Sequence, residues 1–211
     1  MSSKSPKTLT TDECQRLLDT LRITDGTPKQ VRRGIRNYCI ALVMLDAGLR
    51  VSEVAGLDVT DLIFNNVPVT SVLVRQEIAK NHEERTIAVS TRLCEAISQM
   101  FMAYWSDHYK NVQQKAFTSG RSDKSLTRRQ VYKIISSAAI AALGRSVNPH
   151  VLRHTFASKL MRVTSMRTVQ ELLGHKNITS TQIYTHPNEQ DKHKAIENME
   201  RSEKSPIPAA H

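Results

Sequence analysis

The residues with the clearest capacity for chemistry stand in three short stretches toward the C-terminal half. His150-Val151-Leu152-Arg153-His154 is followed by Leu173-Gly174-His175 and then, nine residues beyond that histidine, by Tyr184-Thr185-His186. Upstream, Gly48-Leu49-Arg50-Val51-Ser52-Glu53 sets another arginine just past an apolar run, and Lys80 lies between two β-prone stretches. Arginines, a lysine, histidines and a tyrosine at helix ends and a hairpin tip form a set suited to opening a phosphodiester. His150 and His154, at i and i+4, could make half of a zinc site, but no Cys pair or H-E-x-x-H completes it. Neither a metal nor another cofactor is expected.

The expected chemistry follows from charge. A phosphodiester carries one negative charge, and attack by a phenol oxygen raises it toward two, so fixed cations stabilise the transition state more than the ground state. Arg50 and Arg153 suit this because a guanidinium donates to two phosphoryl oxygens and keeps its proton. Tyr184 is the candidate nucleophile, since a phenol forms a phosphate ester and also leaves again in the reverse step. His150, near neutrality by its reference pKa, is the candidate acceptor of the phenol proton, and Lys80 the candidate acid for the departing sugar oxygen. His175 would bond a non-bridging oxygen.

Composition agrees with a polyanionic partner. Of 211 residues, 30 are Lys or Arg and 20 Asp or Glu, a formal +10, which points to nucleic acid. With 39% hydrophobic and 24% charged residues the chain is globular rather than disordered. Aromatics at 5% argue against a single-strand binder built on base stacking. Cys14, Cys39 and Cys94 are scattered and fall in expected helices, so they read as buried thiols in a reducing compartment. Met1–Thr8 is polar, with no apolar signal region, and the longest apolar run ends at Asp46, so a cytoplasmic protein without membrane insertion is expected.

The elements that must position these groups are mostly helical. Thr10-x-x-Glu13 is a capping box for a helix over about 11–22, with Leu17, Leu18 and Leu21 on one face. Pro28 opens a second helix that Gly48 closes, which delivers Arg50 just beyond its end. A short helix over 52–56 leads to strands over 67–75 and 86–89, with Lys80 at the tip between them. A long helix from Ser90 or Thr91 to about Lys110, a loop over 118–125, and helices at about 127–143, 149–162, 165–173, 178–185 and 189–201 follow. The fold class expected is mainly α with one small antiparallel β-sheet (α+β).

The motif order and spacing resemble those of the tyrosine recombinases of the phage-integrase family, over about Leu9 to Pro187. The resemblance rests on G-L-R-V-S-E at 48–53, H-V-L-R-H at 150–154, L-G-H at 173–175 and T-Q-I-Y-T-H at 181–186. It implies that Arg50, Lys80, His150, Arg153 and His175 activate the phosphate while Tyr184 forms a 3′-phosphotyrosyl link and frees a 5′-hydroxyl. It further implies that Glu53 supports Arg50, while His154 either supports the active-site helix or contacts a phosphate directly. Lys80 lies five residues before Arg85, the family spacing, but lacks the flanking glycines.

The implied function is site-specific recombination of double-stranded DNA at sites with inverted repeats, by a tetramer passing through a Holliday junction without metal or ATP. The free chain would be a monomer, and accessory DNA-bending proteins stay open. Arg32, Arg33, Arg36, Arg128 and Arg129 are candidate backbone contacts. The segment 188–211 resembles a docking helix with a loose tail, and 1–8 a flexible lead-in. Only about ten residues precede the first helix, so an N-terminal core-binding domain is expected to be absent and DNA binding by the chain alone weak, micromolar or poorer. Two rivals are a type IB topoisomerase-like relaxing activity and a non-catalytic DNA-binding regulator with the same fold.

Overall fold

A computed structural model describes residues 8–80, 82–106, 114–119 and 124–174. The expected helices at 178–185 and 189–201, together with His175 and Tyr184, lie outside the described residues.

Helix α1 (Thr11–Leu21) starts with the expected capping box: the Thr10 hydroxyl accepts from the Glu13 N–H at 3.1 Å, and Glu13 accepts from the Thr10 N–H at 3.0 Å. Helix α2 (Pro28–Asp46) opens the same way through Thr27 and Gln30, with Pro28 in the first turn. From Cys39 to Leu45 every residue of α2 is buried, so this helix runs through the middle of the core. It packs against α1, against α4 (Thr91–Met100), α5 (Arg128–Leu143) and α6 (Pro149–Met161), and against the short α3 (Val51–Gly56). The last described helix, α7 (Met166–Leu173), joins α6 through a satellite cluster of Phe156, Ala157, Val169 and Leu173.

Mainly helical architecture with small antiparallel pairing is what the sequence implies, and this is found. The single expected sheet is instead a pair of two-stranded sheets: β1 (Ile63–Phe64) with β2 (Val67–Pro68), and β3 (Ser71–Val74) with β4 (Arg85–Ala88). The stretch 67–75 therefore does not form one strand. Asn65 and Asn66 both have positive φ, 50° and 63°, the backbone of a tight hairpin turn, which pairs Val67 and Pro68 back onto β1. Pro68 also has no N–H to give a continuing ladder.

The helix from 91 also differs from expectation. After Met100 it widens into a π-helical turn, Phe101–Trp105, with the Ser106 N–H on the Phe101 carbonyl at 2.9 Å. Trp105 is buried and its indole N–H donates to the Ala116 carbonyl at 3.2 Å. Cys14 and Cys39 are buried thiols, whereas Cys94 is only half-buried. Among the described residues, no helix is long and apolar enough to cross a membrane.

Candidate active site

Arg50 owes its position to the corner between α2 and α3. Gly48 turns the chain with φ +62°, and Arg50, in extended backbone, takes the N-cap of α3. One turn into α3, Glu53 is completely buried and reaches back to the Arg50 N–H at 2.7 Å and to its Nη1 at 2.9 Å. The Arg50 side chain stays 13% exposed. Its Nε and Nη2 have no hydrogen-bond partner among the described residues.

Arg153 comes from the first two turns of α6, where Asn148 caps and Pro149 starts the helix. Its guanidinium donates to the Gly48 carbonyl and, at 2.7 Å, to the Leu173 carbonyl, with Nη1 4.0 Å from Glu53 Oε2. One buried arginine thus ties the α2–α3 corner to the end of α7. The third cation at Glu53 is Arg85 of β4, whose Nη1 and Nη2 take Oε1 and Oε2 at 3.0 and 2.7 Å. Burial alone would raise the Glu53 pKa, but the hydrogen bonds and charge of Arg85, the Arg50 N–H and the charge of Arg153 prevail and hold it at about 2.

His150 is in the first turn of α6, its N–H on Asn148 Oδ1 at 3.0 Å. Part of the residue faces solvent, yet the protein packed around its ring pushes the imidazole below its ordinary value, and the charges of Arg153, Arg50 and Lys80 push the same way. A neutral imidazole beside several cations can accept a proton at pH 7. His154, one turn further and half-buried, is shifted downward by burial, by His150 and by Arg153.

Lys80 is exposed in the turn between β3 and β4. That turn is docked on α3: a β-carbon at Gly56 would stand 2.6 Å from Ile78 Cγ2. Arg75, at its start, donates to Asp58 Oδ2 at 2.6 Å and to Asp61 Oδ1 at 2.8 Å, and Lys115 reaches Asp58 Oδ1 at 2.7 Å. The turn is held at one end by Arg75 and at the other by Arg85.

Arg50, Lys80, His150, Arg153, Glu53 and His154 therefore share one region of the described chain. His175 directly follows Gly174, the left-handed end of α7, and Tyr184 comes later; both lie outside the described residues. In the sequence Arg85 is marked only by its spacing from Lys80, and its role at Glu53 comes from packing between β4 and α3. Among the described residues, no group of three or more His, Cys, Asp or Glu side chains stands close enough to hold a metal ion.

The candidate DNA-contact arginines fall into distinct settings. Arg33, Arg128 and Arg129 are exposed, and Arg32 lies over the Tyr104 ring at 4.6 Å. Arg33 also lines a cleft of about 500 Å³ between α1, α2 and α5, together with Gln130 and Lys133. Arg36 departs from the expectation of a surface cation. It is 7% exposed, with Nη1 on the Thr118 carbonyl at 2.7 Å and Nη2 on Asn37 Oδ1 at 3.0 Å.

This arrangement has counterparts among known proteins. Residues 7–191 match the model of the phage integrase family. The chain belongs to that family. The tyrosine recombinase XerD of Lacticaseibacillus casei is 36% identical to this integrase-family chain over 174 residues, covering 80% of this chain and 56% of that protein. The crystal structure of XerA recombinase superposes with a TM-score of 0.71 at 25% identity, over 97% of this chain and 67% of that one. A structure of XerH site-specific recombinase bound to a palindromic difH substrate, a post-cleavage complex, has the same fold, with TM-score 0.71, 22% identity, and coverage of 95% of this chain and 56% of that chain. The chain spans between 56% and 59% of the length of the curated relatives it matches first.

Proposed function

We propose that this chain is a tyrosine site-specific DNA recombinase that cuts and rejoins DNA in the cytoplasm. The Tyr184 oxygen attacks the scissile phosphorus, the bond from phosphorus to O5′ breaks, and the 3′ end stays on the tyrosine as a phosphate ester. His150 takes the phenol proton and Lys80 gives one to O5′. Arg50, Arg153 and His175 neutralise the oxygens on which charge builds. The reverse step, with a 5′-hydroxyl from the partner duplex, restores the backbone with no metal or ATP. A homotetramer on paired inverted-repeat sites would exchange one strand pair, pass through a Holliday junction and exchange the second.

The observation that supports this reading most is geometric: Arg50 and Arg153, from separate elements, meet at Glu53 at 2.9 and 4.0 Å, and His150 stands in the first turn of the helix that carries Arg153. Such convergence of cations beside a candidate base suits an anionic transition state.

The test is covalent capture from a pool of nicked duplexes carrying randomised inverted repeats. Wild-type protein should retain DNA through denaturation, and Tyr184→Phe should retain none. Absence of any wild-type adduct defeats the enzyme reading. Exchange between two marked duplexes carrying the captured site then separates recombination from simple relaxation.

A further inference from the structure

Resting on the phosphodiester chemistry proposed above, we infer that Arg85 is a positioning residue that presents the Arg50 guanidinium to the scissile phosphate and fixes the end of α7 from which His175 follows. Each nitrogen of the Arg85 fork is bonded within the protein: Nη1 and Nη2 to Glu53, and Nε to the Leu172 carbonyl at 3.0 Å. An arginine so engaged acts through what it holds.

What it holds first is the carboxylate that holds Arg50. Glu53 Oε1 accepts from Arg50 Nη1 and Arg85 Nη1, and Oε2 accepts from the Arg50 N–H and Arg85 Nη2. A carboxylate offers about four lone-pair sites, and these four bonds use them. Because Arg85 claims one site on each oxygen, Arg50 is held through a single side-chain nitrogen. Its Nε and Nη2 remain for the phosphate. Without Arg85 the buried carboxylate is short of a countercharge, and Arg50, its nearest cation, would close on both oxygens and withdraw those donors.

The second hold is on α7. Arg85 bonds the Leu172 carbonyl, and a β-carbon at Gly174 would stand 3.1 Å from Arg85 Cδ, so the left-handed end of α7 lies against the arginine stem. The end of α7 is fixed there. A lysine could supply the charge at this position but not the fork that spans two oxygens and a carbonyl.

Single-turnover cleavage of the captured nicked duplex, by the full chain, tests this with two linkages at the scissile position: the natural phosphodiester and a methylphosphonate, which lacks the negative charge. Arg85→Met should cleave the phosphodiester about 100-fold more slowly, the loss expected of a misplaced active-site group. Its DNA affinity, measured in a Tyr184→Phe background, should be unchanged, and Arg85→Lys should fall between Arg85→Met and wild type. On the methylphosphonate, where cations matter less, the Arg85→Met deficit should shrink together with that of Arg50→Ala. Arg92→Met, which removes the ion-pair partner of Asp46 and no bond to Glu53, Arg50 or Arg153, should cleave both linkages like wild type.

If Arg85→Met does not fold, Glu53→Gln combined with Arg85→Met removes both buried charges together and should show the same selective deficit on the phosphodiester. A wild-type rate in either variant, or a deficit equal on both linkages, overturns the inference. If wild type cleaves and the Arg85 variants match it, this assignment alone falls. If wild type forms no adduct, the recombinase reading fails and takes this inference with it.

Discussion

Gly48 lies so close to the Phe156 ring that a β-carbon there would stand 2.3 Å from Cδ1. Contact between this corner and α6 is what allows Arg153 to bond the Gly48 carbonyl two residues before Arg50. Gly48→Ala should therefore lose about 2–4 kcal/mol of stability, part from the left-handed backbone at φ +62° and part from overpacking against the ring. Urea unfolding measures this. A midpoint equal to that of wild type would show that the corner can open without cost.

Glu53 should leave a signature in acid. Its folded pKa of about 2 lies below the ordinary 4.5, so it contributes stability above the unfolded value that is lost as pH falls through the folded one. The shift corresponds to about 3 kcal/mol, present at pH 7 and lost between roughly pH 5 and pH 2. Glu53→Gln should flatten stability against pH across that window, and be less stable at pH 7 because Arg50, Arg85 and Arg153 lose their shared anion. Parallel curves for the two proteins would contradict the assignment.

The His150 imidazole should titrate below its ordinary 6.5, followed by NMR of the ring protons in the free chain. Burial lowers it first, and the neighbouring cations lower it further because they disfavour a second positive charge. Arg50→Ala removes one of those cations, so the His150 midpoint should move upward. A midpoint that does not respond to Arg50 would separate the two residues in space.

Exposed and buried arginines should fail differently. Arg33→Ala and Arg129→Ala each remove a solvent-facing cation and should lower the slope of log affinity against log salt by about one each. Arg36→Ala removes the bond to the Thr118 carbonyl and should appear as a lower melting temperature. A salt slope that drops for Arg36→Ala at unchanged stability would put that side chain on DNA.

Much of the local structure was legible because it is written in short-range chemistry. Capping residues, Pro28 and Pro149 in first turns, and glycines at left-handed ends mark α1, α2, α5, α6 and α7 to within a residue or so, since a helix end needs a partner for its free N–H groups nearby. The motif set around Arg50, His150 and Arg153 was legible for the same reason: each residue sits at a recognisable helix start. The pairing of Val67 and Pro68 with β1 was not, because which strand an apolar stretch joins depends on a neighbour elsewhere in the chain.

What the sequence determined by itself was the kind of chemistry and the places where helices begin and end. The tertiary structure decided which charges meet. Arg85 and Glu53 stand 32 residues apart, and nothing within either segment announces that a strand arginine will saturate a helix carboxylate. Arg36 and Arg33 are equally basic in the sequence, yet one is spent on a carbonyl and the other faces solvent. A charge acquires its role from burial and from the partner brought to it, and both are properties of packing between elements far apart in the chain.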